Sequence, residues 1–406
     1  MQTPGFLVVT ASYWAFTLSD GALRMLVLLH LHAQGQTAWA LALLLVPYEV
    51  AGIVTNLVGG WAGARFGLKP ILLLGLLLQV VACLMLTVDA AMLTLGWVMV
   101  TQVLSGVAKD FAKTAAKSYV RALAPAAESG PLFRLVALMT GSKNTLKGLG
   151  FFVGGALLAA AGFRYTNAAL AAGLALALLL SAILLPRAPG KRGATFRGVF
   201  AHDAAVNWLA AARLFLFGSR DAWFAVALPL FLVSSWSWTS TWVGAFLALW
   251  VIGYGLVQAL APRLVRTDRT DVGLRRTVIV TVALLLPLGW TWAGLHFDLP
   301  RAVTLAGLLI YGALFALTSS LHSWLVVALA GADTVVERVG FYYAANAGGR
   351  LAGLLLSGYL YEQGRGAGPG SSHGLELTLL ASAIAVALAA LALLPAARRP
   401  VPVSSA

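Results

Sequence analysis

Long apolar runs recur along the whole chain, and each is about as long as a bilayer core requires of a helix, roughly twenty residues. Short polar segments separate twelve such runs. Their bounds are 6–30, 38–62, 70–88, 92–118, 132–160, 163–185, 205–233, 240–262, 276–295, 302–328, 338–361 and 374–395. The pattern predicts an all-α polytopic membrane protein with twelve transmembrane helices.

The composition agrees with this interpretation. Of 406 residues, 60% are hydrophobic and only 10% are charged, and the mean hydropathy is +0.87. A soluble domain of this size needs more polar surface. The longest polar segment lies between the sixth and seventh runs. We therefore expect an N-terminal six-helix bundle over 1–186, a cytoplasmic linker over 187–204 and a C-terminal six-helix bundle over 205–406.

The net charge of +14 indicates membrane topology and not nucleic-acid binding. Basic residues concentrate in the segments that follow even-numbered runs and in the C-terminal tail: Arg65, Lys69, Arg121, Arg134, Arg187, Lys191, Arg192, Arg197, Arg263, Arg266, Arg269, Arg275, Arg276, Arg338, Arg398 and Arg399. The opposite side has only Arg164, Arg301 and Arg365. The positive-inside rule then places both termini in the cytoplasm.

Further basic residues lie within the apolar runs themselves. They are Arg24, Lys109, Lys113, Lys117, Lys143, Lys147, Arg213, Arg220 and Arg350. The acids that accompany them are Asp20, Glu49, Asp110 and Asp221. A lysine or arginine facing lipid at mid-depth costs about 3 kcal/mol. Nine cations with four acids leave an excess of positive charge, which an anionic ligand inside the protein would neutralise.

The spacing of these cations narrows the candidate site. Lys109 and Lys113 are one helical turn apart, as are Lys143 and Lys147, so each pair shares a face and repels unless water or an anion separates it. The predicted anion contacts are Arg24, Lys109, Lys113, Lys143, Lys147 and Arg350, with Asn56, Asn144 and Asn346 as neutral partners. Two alternatives stay open: Lys117 and Arg213 snorkel to the cytoplasmic surface, and Asp20 pairs with Arg24 along their helix.

The four membrane-embedded acids, Asp20, Glu49, Asp110 and Asp221, are candidates for counter-ions or for coupling to protons. Asp110 is adjacent to Lys109 and one turn from Lys113, and a nearby cation keeps a carboxylate ionised. Glu49 has no basic neighbour in the sequence. We expect Asp110 to act as a counter-ion and Glu49 to be the better proton carrier.

The two halves of the chain repeat one another weakly. The matches pair Phe16 with Phe217, Asp20 with Asp221, Lys147 with Arg350, Gly150 with Gly353 and Gly155 with Gly358, at near-constant offsets of 201 and 203 residues. Parallel six-helix repeats of this kind are typical of transporters. Glycines concentrate in the fifth and eleventh runs, where they predict close helix contact.

The segment between the second and third runs resembles the loop motif of major facilitator superfamily transporters. Arg65, Gly67 and Lys69 match the motif after a Gly-rich stretch that includes Gly60, whereas Ala64 and Leu68 replace its acid and its second arginine. The resemblance implies a gating loop formed by Gly60, Arg65, Gly67 and Lys69.

A further resemblance covers nearly the whole chain. The segments Ser19–Arg24, Tyr48–Asn56, Leu104–Asp110, Gly141–Asn144 and Gly340–Asn346 are similar to those of the ArsJ organoarsenical efflux permeases. This implies export of 1-arseno-3-phosphoglycerate across a bacterial inner membrane by alternating access, arsenate resistance, and a glyceraldehyde-3-phosphate dehydrogenase as functional partner. We expect a monomer without cofactors.

Other functions remain alternatives. A related carrier could move another phosphorylated or carboxylated organic anion, and an anion channel or a membrane enzyme is less favoured. A membrane enzyme is less favoured because the sequence has no His-Glu-x-x-His metal-binding motif. Its glycines also lie in apolar runs and not after a strand, where a cofactor-binding fingerprint would place them. Cys83 is the single cysteine, so one chain cannot build the multi-thiolate site that trivalent arsenic prefers. We expect no metal site and no catalytic residues.

Overall fold

The computed structural model describes residues 4–123, 129–186, 204–264, 270–329, 335–365 and 371–398. Within these ranges lie thirteen α-helices and one 3-10 helix, Ala90–Met92. The α-helices are α1 (Pro4–Ala33), α2 (Ala38–Phe66), α3 (Leu68–Met85), α4 (Leu95–Leu123), α5 (Ser129–Leu184), α6 (Ala204–Phe224), α7 (Ala227–Ser234), α8 (Ser240–Leu264), α9 (Thr270–Ala283), α10 (Leu285–His296), α11 (Arg301–Leu329), α12 (Val335–Arg365) and α13 (His373–Arg398).

These helices match the predicted runs in order, and the all-helical prediction is confirmed. α5 covers the fifth and sixth runs and changes direction at Gly162, whose φ of 77° lies outside the helical region. The seventh run is divided between α6 and α7, and the ninth between α9 and α10. Among the described residues, eight helical segments are long and apolar enough to cross a membrane.

The break between α6 and α7 has a local cause that the hydropathy pattern does not show. Pro229 lies near the start of α7, and proline cannot donate a hydrogen bond to the preceding turn. At the break, the hydroxyl of Ser357 accepts hydrogen bonds from the backbone N–H groups of Val226 (3.2 Å) and Ala227 (3.0 Å). A side chain of α12 therefore stabilises the broken helix.

Two compact units can be distinguished. Unit 1 comprises the described residues of Met1–Phe196 together with Ser237–Ile252, and unit 2 comprises those of Arg197–Trp236 and Gly253–Ala406. The first half of α8 thus belongs by its packing to unit 1. The reason is close backbone contact with α5, because a Cβ on Gly244 would lie 2.7 Å from the carbonyl oxygen of Phe151.

In unit 1, glycines bring α1 and α5 together. A Cβ on Gly150 would collide with the Leu18 carbonyl oxygen, and one on Gly154 would lie 2.8 Å from that of Ala22. Real side chains do not approach this closely, so both positions need glycine. The predicted glycine seam of the fifth run is therefore a close helix contact.

Unit 2 repeats this arrangement with α6 and α12. A Cβ on Gly349 would collide with the Leu214 carbonyl oxygen, and one on Gly353 would lie next to that of Gly218. α6 and α12 correspond to α1 and α5 in the predicted repeat. In both pairs, glycines of the second helix allow its close contact with the first. Unit 2 also contains a buried apolar cluster that joins α6, α9, α11, α12 and α13.

Candidate functional site

In unit 1, Arg24 is the first of the predicted anion contacts, and it forms an ion pair that joins α1 and α2. Arg24 Nη2 of α1 donates to Glu49 Oε1 of α2 at 3.1 Å, and the Glu49 side chain is fully buried. Glu49 has no basic neighbour in the sequence, but the fold places Arg24 beside it. The two side chains form an ion pair between α1 and α2.

Tyr48 connects this pair with the first lysine of α4. Its hydroxyl donates to Asp20 Oδ1 at 2.5 Å. Lys109 Nζ lies 4.0 Å from the centre of its ring, and Arg24 Cζ lies 5.3 Å from it. An aromatic face attracts both cations. Tyr48 therefore holds Arg24, Lys109 and Asp20 in one cluster, although the sequence alone assigned it no role.

Asp110 occupies the other side of this cluster. It is fully buried, pairs with Lys113 one turn along α4 and accepts a hydrogen bond from Thr55 Oγ1 at 3.2 Å. A Cβ on Gly52 would lie 3.1 Å from Lys109 Nζ and 3.2 Å from Asp110 Oδ2. Gly52 of α2 thus leaves room for the charged groups of α4. This geometry agrees with a counter-ion role for Asp110.

The second predicted lysine pair lies on α5, where Lys143, Asn144 and Lys147 are partly buried. Ser142 accepts a hydrogen bond from Trp14 Nε1 at 2.8 Å, which fixes this turn of α5 against α1. Lys147 Nζ lies 5.8 Å from the centre of the Phe151 ring. The α5 cations therefore adjoin the helix that carries Asp20 and Arg24.

The predicted gating loop connects α2 with α3. Gly67 has a φ of 92°, a conformation that favours glycine. Lys69 Nζ donates to the Leu185 carbonyl oxygen at 2.7 Å, just beyond the end of α5, where a cation stabilises the helix dipole. Arg65 lies exposed in the last turn of α2. The side chains of Asn56 and Lys117 and the surroundings of Gly60 lie outside the described residues.

Unit 2 holds a buried arginine that the sequence left as a snorkelling candidate. Arg213 of α6 is only 5% exposed. Its Nε donates to Asn346 Oδ1 of α12 at 3.2 Å, and its Nη1 donates to the Ser319 carbonyl oxygen of α11 at 3.1 Å. The snorkelling interpretation of Arg213 is therefore wrong, because three helices enclose the guanidinium.

About two turns along α6 from Arg213, the adjacent residues Arg220 and Asp221 form an ion pair. Arg220 donates to Asp221 Oδ1 at 2.6 Å, and its guanidinium lies over the rings of Phe217 and Phe315 at 4.9 and 5.4 Å. Arg350 follows Asn346 by one turn of α12 and is partly buried. Asp221 thus has a basic partner. The acids of unit 1 also have partners: Tyr48 for Asp20, Arg24 for Glu49 and Lys113 for Asp110.

Residues that sequence analysis missed include His322 of α11, which is fully buried in unit 2. A second missed feature is a cavity of about 430 Å³ between α10 and α13, lined by Trp292, His296, Ser372, His373 and Glu376 among others. Within the part of the chain that the structure describes, no three His, Cys, Asp or Glu side chains come together to hold a metal ion.

Comparison with solved structures shows the fold. A D-xylose–proton symporter has a TM-score of 0.71 at 14% identity, with 96% of each chain covered. The xylose transporter XylE from E. coli, inward open, has a TM-score of 0.68 at 15% identity, with 94% of each chain covered. A bacterial homologue of the human lysosomal transporter Spinster has a TM-score of 0.70 at 13% identity, with 97% of this chain and 96% of that chain covered.

No curated protein sequence gives a significant match. The sequence model of the Major Facilitator Superfamily, however, matches residues 5–334, which is most of the chain. This match agrees with the all-helical fold and with the charged groups buried between its helices. The chain therefore belongs to the Major Facilitator Superfamily of membrane transporters.

Proposed function

We propose that this transporter exports an anionic organoarsenical, 1-arseno-3-phosphoglycerate, from the cytoplasm across a bacterial inner membrane by alternating access. The observation that carries the proposal is the excess of buried positive charge. The described helices of unit 1 carry five partly buried cations, Arg24, Lys109, Lys113, Lys143 and Lys147, and three embedded acids, Asp20, Glu49 and Asp110. An anionic cargo would balance the excess.

The chemistry of the available donors suits pentavalent arsenic. The proposed substrate carries a phosphate, a carboxylate and an acyl arsenate, and charged oxygens of this kind are bound by Lys, Arg and amide donors. Soft trivalent arsenic would instead require several thiolates. Cys83 is the chain's single cysteine and is buried. The donor set therefore favours an oxyanion over arsenite.

The Arg24–Glu49 ion pair suggests how binding and release could be linked. An incoming anion would compete with the Glu49 carboxylate for the Arg24 guanidinium, and protonation of Glu49 would free Arg24 for the anion. Outward movement of an anion is also favoured by an inside-negative potential, by about 2.3 kcal/mol per charge per 100 mV. We propose potential-driven export, to which Glu49 adds a dependence on pH.

Cellular context belongs to the same proposal. A glyceraldehyde-3-phosphate dehydrogenase would supply the substrate by using arsenate in place of phosphate, and export would give arsenate resistance. The positive-inside distribution of basic residues supports cytoplasmic termini. We further propose that the protein acts as a monomer, with residues 1–186 and 205–406 as its two bundles.

A second candidate function is transport of another phosphorylated or carboxylated organic anion. The same observation favours it, because Lys and Arg bind phosphate, carboxylate and arsenate groups alike. The structural neighbours named for xylose handle an uncharged sugar, and the buried cations of this chain argue against a neutral cargo.

Transport into everted membrane vesicles tests both candidates. Vesicles that contain the protein should accumulate enzymatically synthesised 1-arseno-3-phosphoglycerate faster than vesicles without it, and uptake should saturate. An excess of 2,3-bisphosphoglycerate serves as competitor. Saturable uptake that the competitor reduces only weakly would support the organoarsenical, equal competition would support the broader class, and no uptake would refute the organoarsenical.

A further inference from the structure

Arg213 is a buried cation whose described partners are all neutral. Its two hydrogen bonds go to an amide oxygen of Asn346 and a carbonyl oxygen of Ser319, and its guanidinium lies over the Phe217 ring at 4.1 Å. No carboxylate of the described residues forms an ion pair with it. A guanidinium has five N–H donors, so these two bonds leave three donors available.

His322 is on the same side of α11 as the Arg213 contact. It follows Ser319 by three residues, which places both on one face of the helix. The Ser319 hydroxyl is itself contacted from α8, by Tyr254 Oη at 3.3 Å and Gln258 Nε2 at 3.4 Å. The face of α11 that carries His322 is therefore lined by polar groups from α6 and α8.

The His322 side chain is fully buried, and neither ring nitrogen has a hydrogen-bond partner among the described residues. Buried polar groups in native proteins nearly always have partners, and leaving one without costs about 1–3 kcal/mol. A buried cation without a counter-ion costs more. His322 lies one helical turn along α11 from Ser319, whose carbonyl oxygen accepts a hydrogen bond from Arg213. The two buried groups therefore favour a negatively charged ligand beside them.

We propose that Arg213 and His322 form an oxyanion subsite within unit 2, with Asn346 and Ser319 holding the guanidinium in place. The ligand class is a tetrahedral or carboxylate oxyanion: phosphate, arsenate or the corresponding end of an organic anion. Arg213 would supply charge and two parallel N–H donors, and His322 one further N–H. The subsite deepens the proposed function and rests on it only for the identity of the cargo.

Binding to the purified full-length protein in detergent tests the subsite. Isothermal titration would use inorganic phosphate, 3-phosphoglycerate and, as an uncharged probe, glycerol. The variants are Arg213→Gln and His322→Asn. The controls are Arg164→Gln, which changes an exposed arginine paired with Asp89, and His373→Asn, which changes an exposed histidine.

We expect both anions to bind the unmodified protein and both controls, and each subsite variant to bind at least about tenfold more weakly, as the loss of a charge-assisted contact predicts. Glycerol should not bind detectably. Weakened binding of 3-phosphoglycerate alone would assign the subsite to an organic anion, and weakened binding of both would assign it to the oxyanion group. Unchanged affinity in the two variants, or no anion binding at all, would overturn the proposal.

Two additions keep the test decisive. If Arg213→Gln does not fold, Arg213→Lys retains the charge but loses the forked geometry, and weakened binding is again expected. Vesicle uptake of the organoarsenical separates this proposal from the proposed function. Uptake without any effect of the variants would refute the subsite alone, whereas phosphate binding that depends on Arg213 without organoarsenical uptake would refute the cargo alone.

Discussion

Replacing Lys109 with methionine should abolish or strongly reduce export while leaving the protein folded. Lys109 Nζ lies 4.0 Å from the Tyr48 ring centre, and the neighbouring Asp110 keeps Lys113 and Thr55 as partners. The substitution therefore leaves no buried carboxylate without a partner. Methionine also preserves most of the side-chain volume, so the packing next to Gly52 changes little.

The expected magnitude follows from the contacts that are lost. A charge-assisted contact to the bound anion contributes about 1.5–3 kcal/mol, which corresponds to about a tenfold to a hundredfold loss of affinity. Lys113→Met is the contrasting variant, because it removes the basic partner of the fully buried Asp110 carboxylate and leaves it the Thr55 hydroxyl. Breaking a buried pair costs about 3–5 kcal/mol, less here because the Lys113 side chain is 25% exposed. Lys113→Met should thus reduce stability and membrane abundance.

The assay combines growth in arsenate, vesicle uptake of 1-arseno-3-phosphoglycerate, and the amount and melting temperature of the purified protein. Lys109→Met should fail in growth and uptake at normal abundance. Undiminished arsenate resistance in Lys109→Met at normal abundance would refute the placement of the anion beside Lys109. An equal loss of stability in both lysine variants would refute the distinction between a binding and a structural lysine.

Three further predictions address coupling, packing and the helix break. Glu49→Gln should flatten the pH dependence of uptake, because a neutral amide can no longer take up the proton that frees Arg24; a flat profile in the unmodified protein would sink the proton-carrier role of Glu49. Gly150→Ala should lower stability by about 1–3 kcal/mol by pressing on the α1 backbone, whereas Gly173→Ala, with open space around it, should not; equal melting temperatures would contradict the close contact. Ser357→Ala should cost about 1–3 kcal/mol, since two backbone N–H groups lose their acceptor, and an unchanged melting temperature would show that those groups find another.

Local properties of the sequence were enough for the helical architecture. Hydropathy over about twenty residues depends only on the segment itself, so the runs, their order and the all-helical class follow from it. The sequence was also enough to predict contact between Asp110 and Lys113, because residues three apart on a helix are neighbours wherever the helix lies. Glycine clustering likewise indicated where helices approach closely, although not which helices.

Contacts between helices were decided by the tertiary structure alone. Arg24 and Glu49 are 25 residues apart, and Arg213 reaches residues more than a hundred positions away. The face that a helix turns towards its neighbours depends on its rotation and on the packing of the helices around it. The spacing of residues along the sequence gives no information about either. Hydropathy therefore located the charged residues within the membrane, whereas tertiary packing determined that Glu49 is paired and that Arg213 and His322 are both buried.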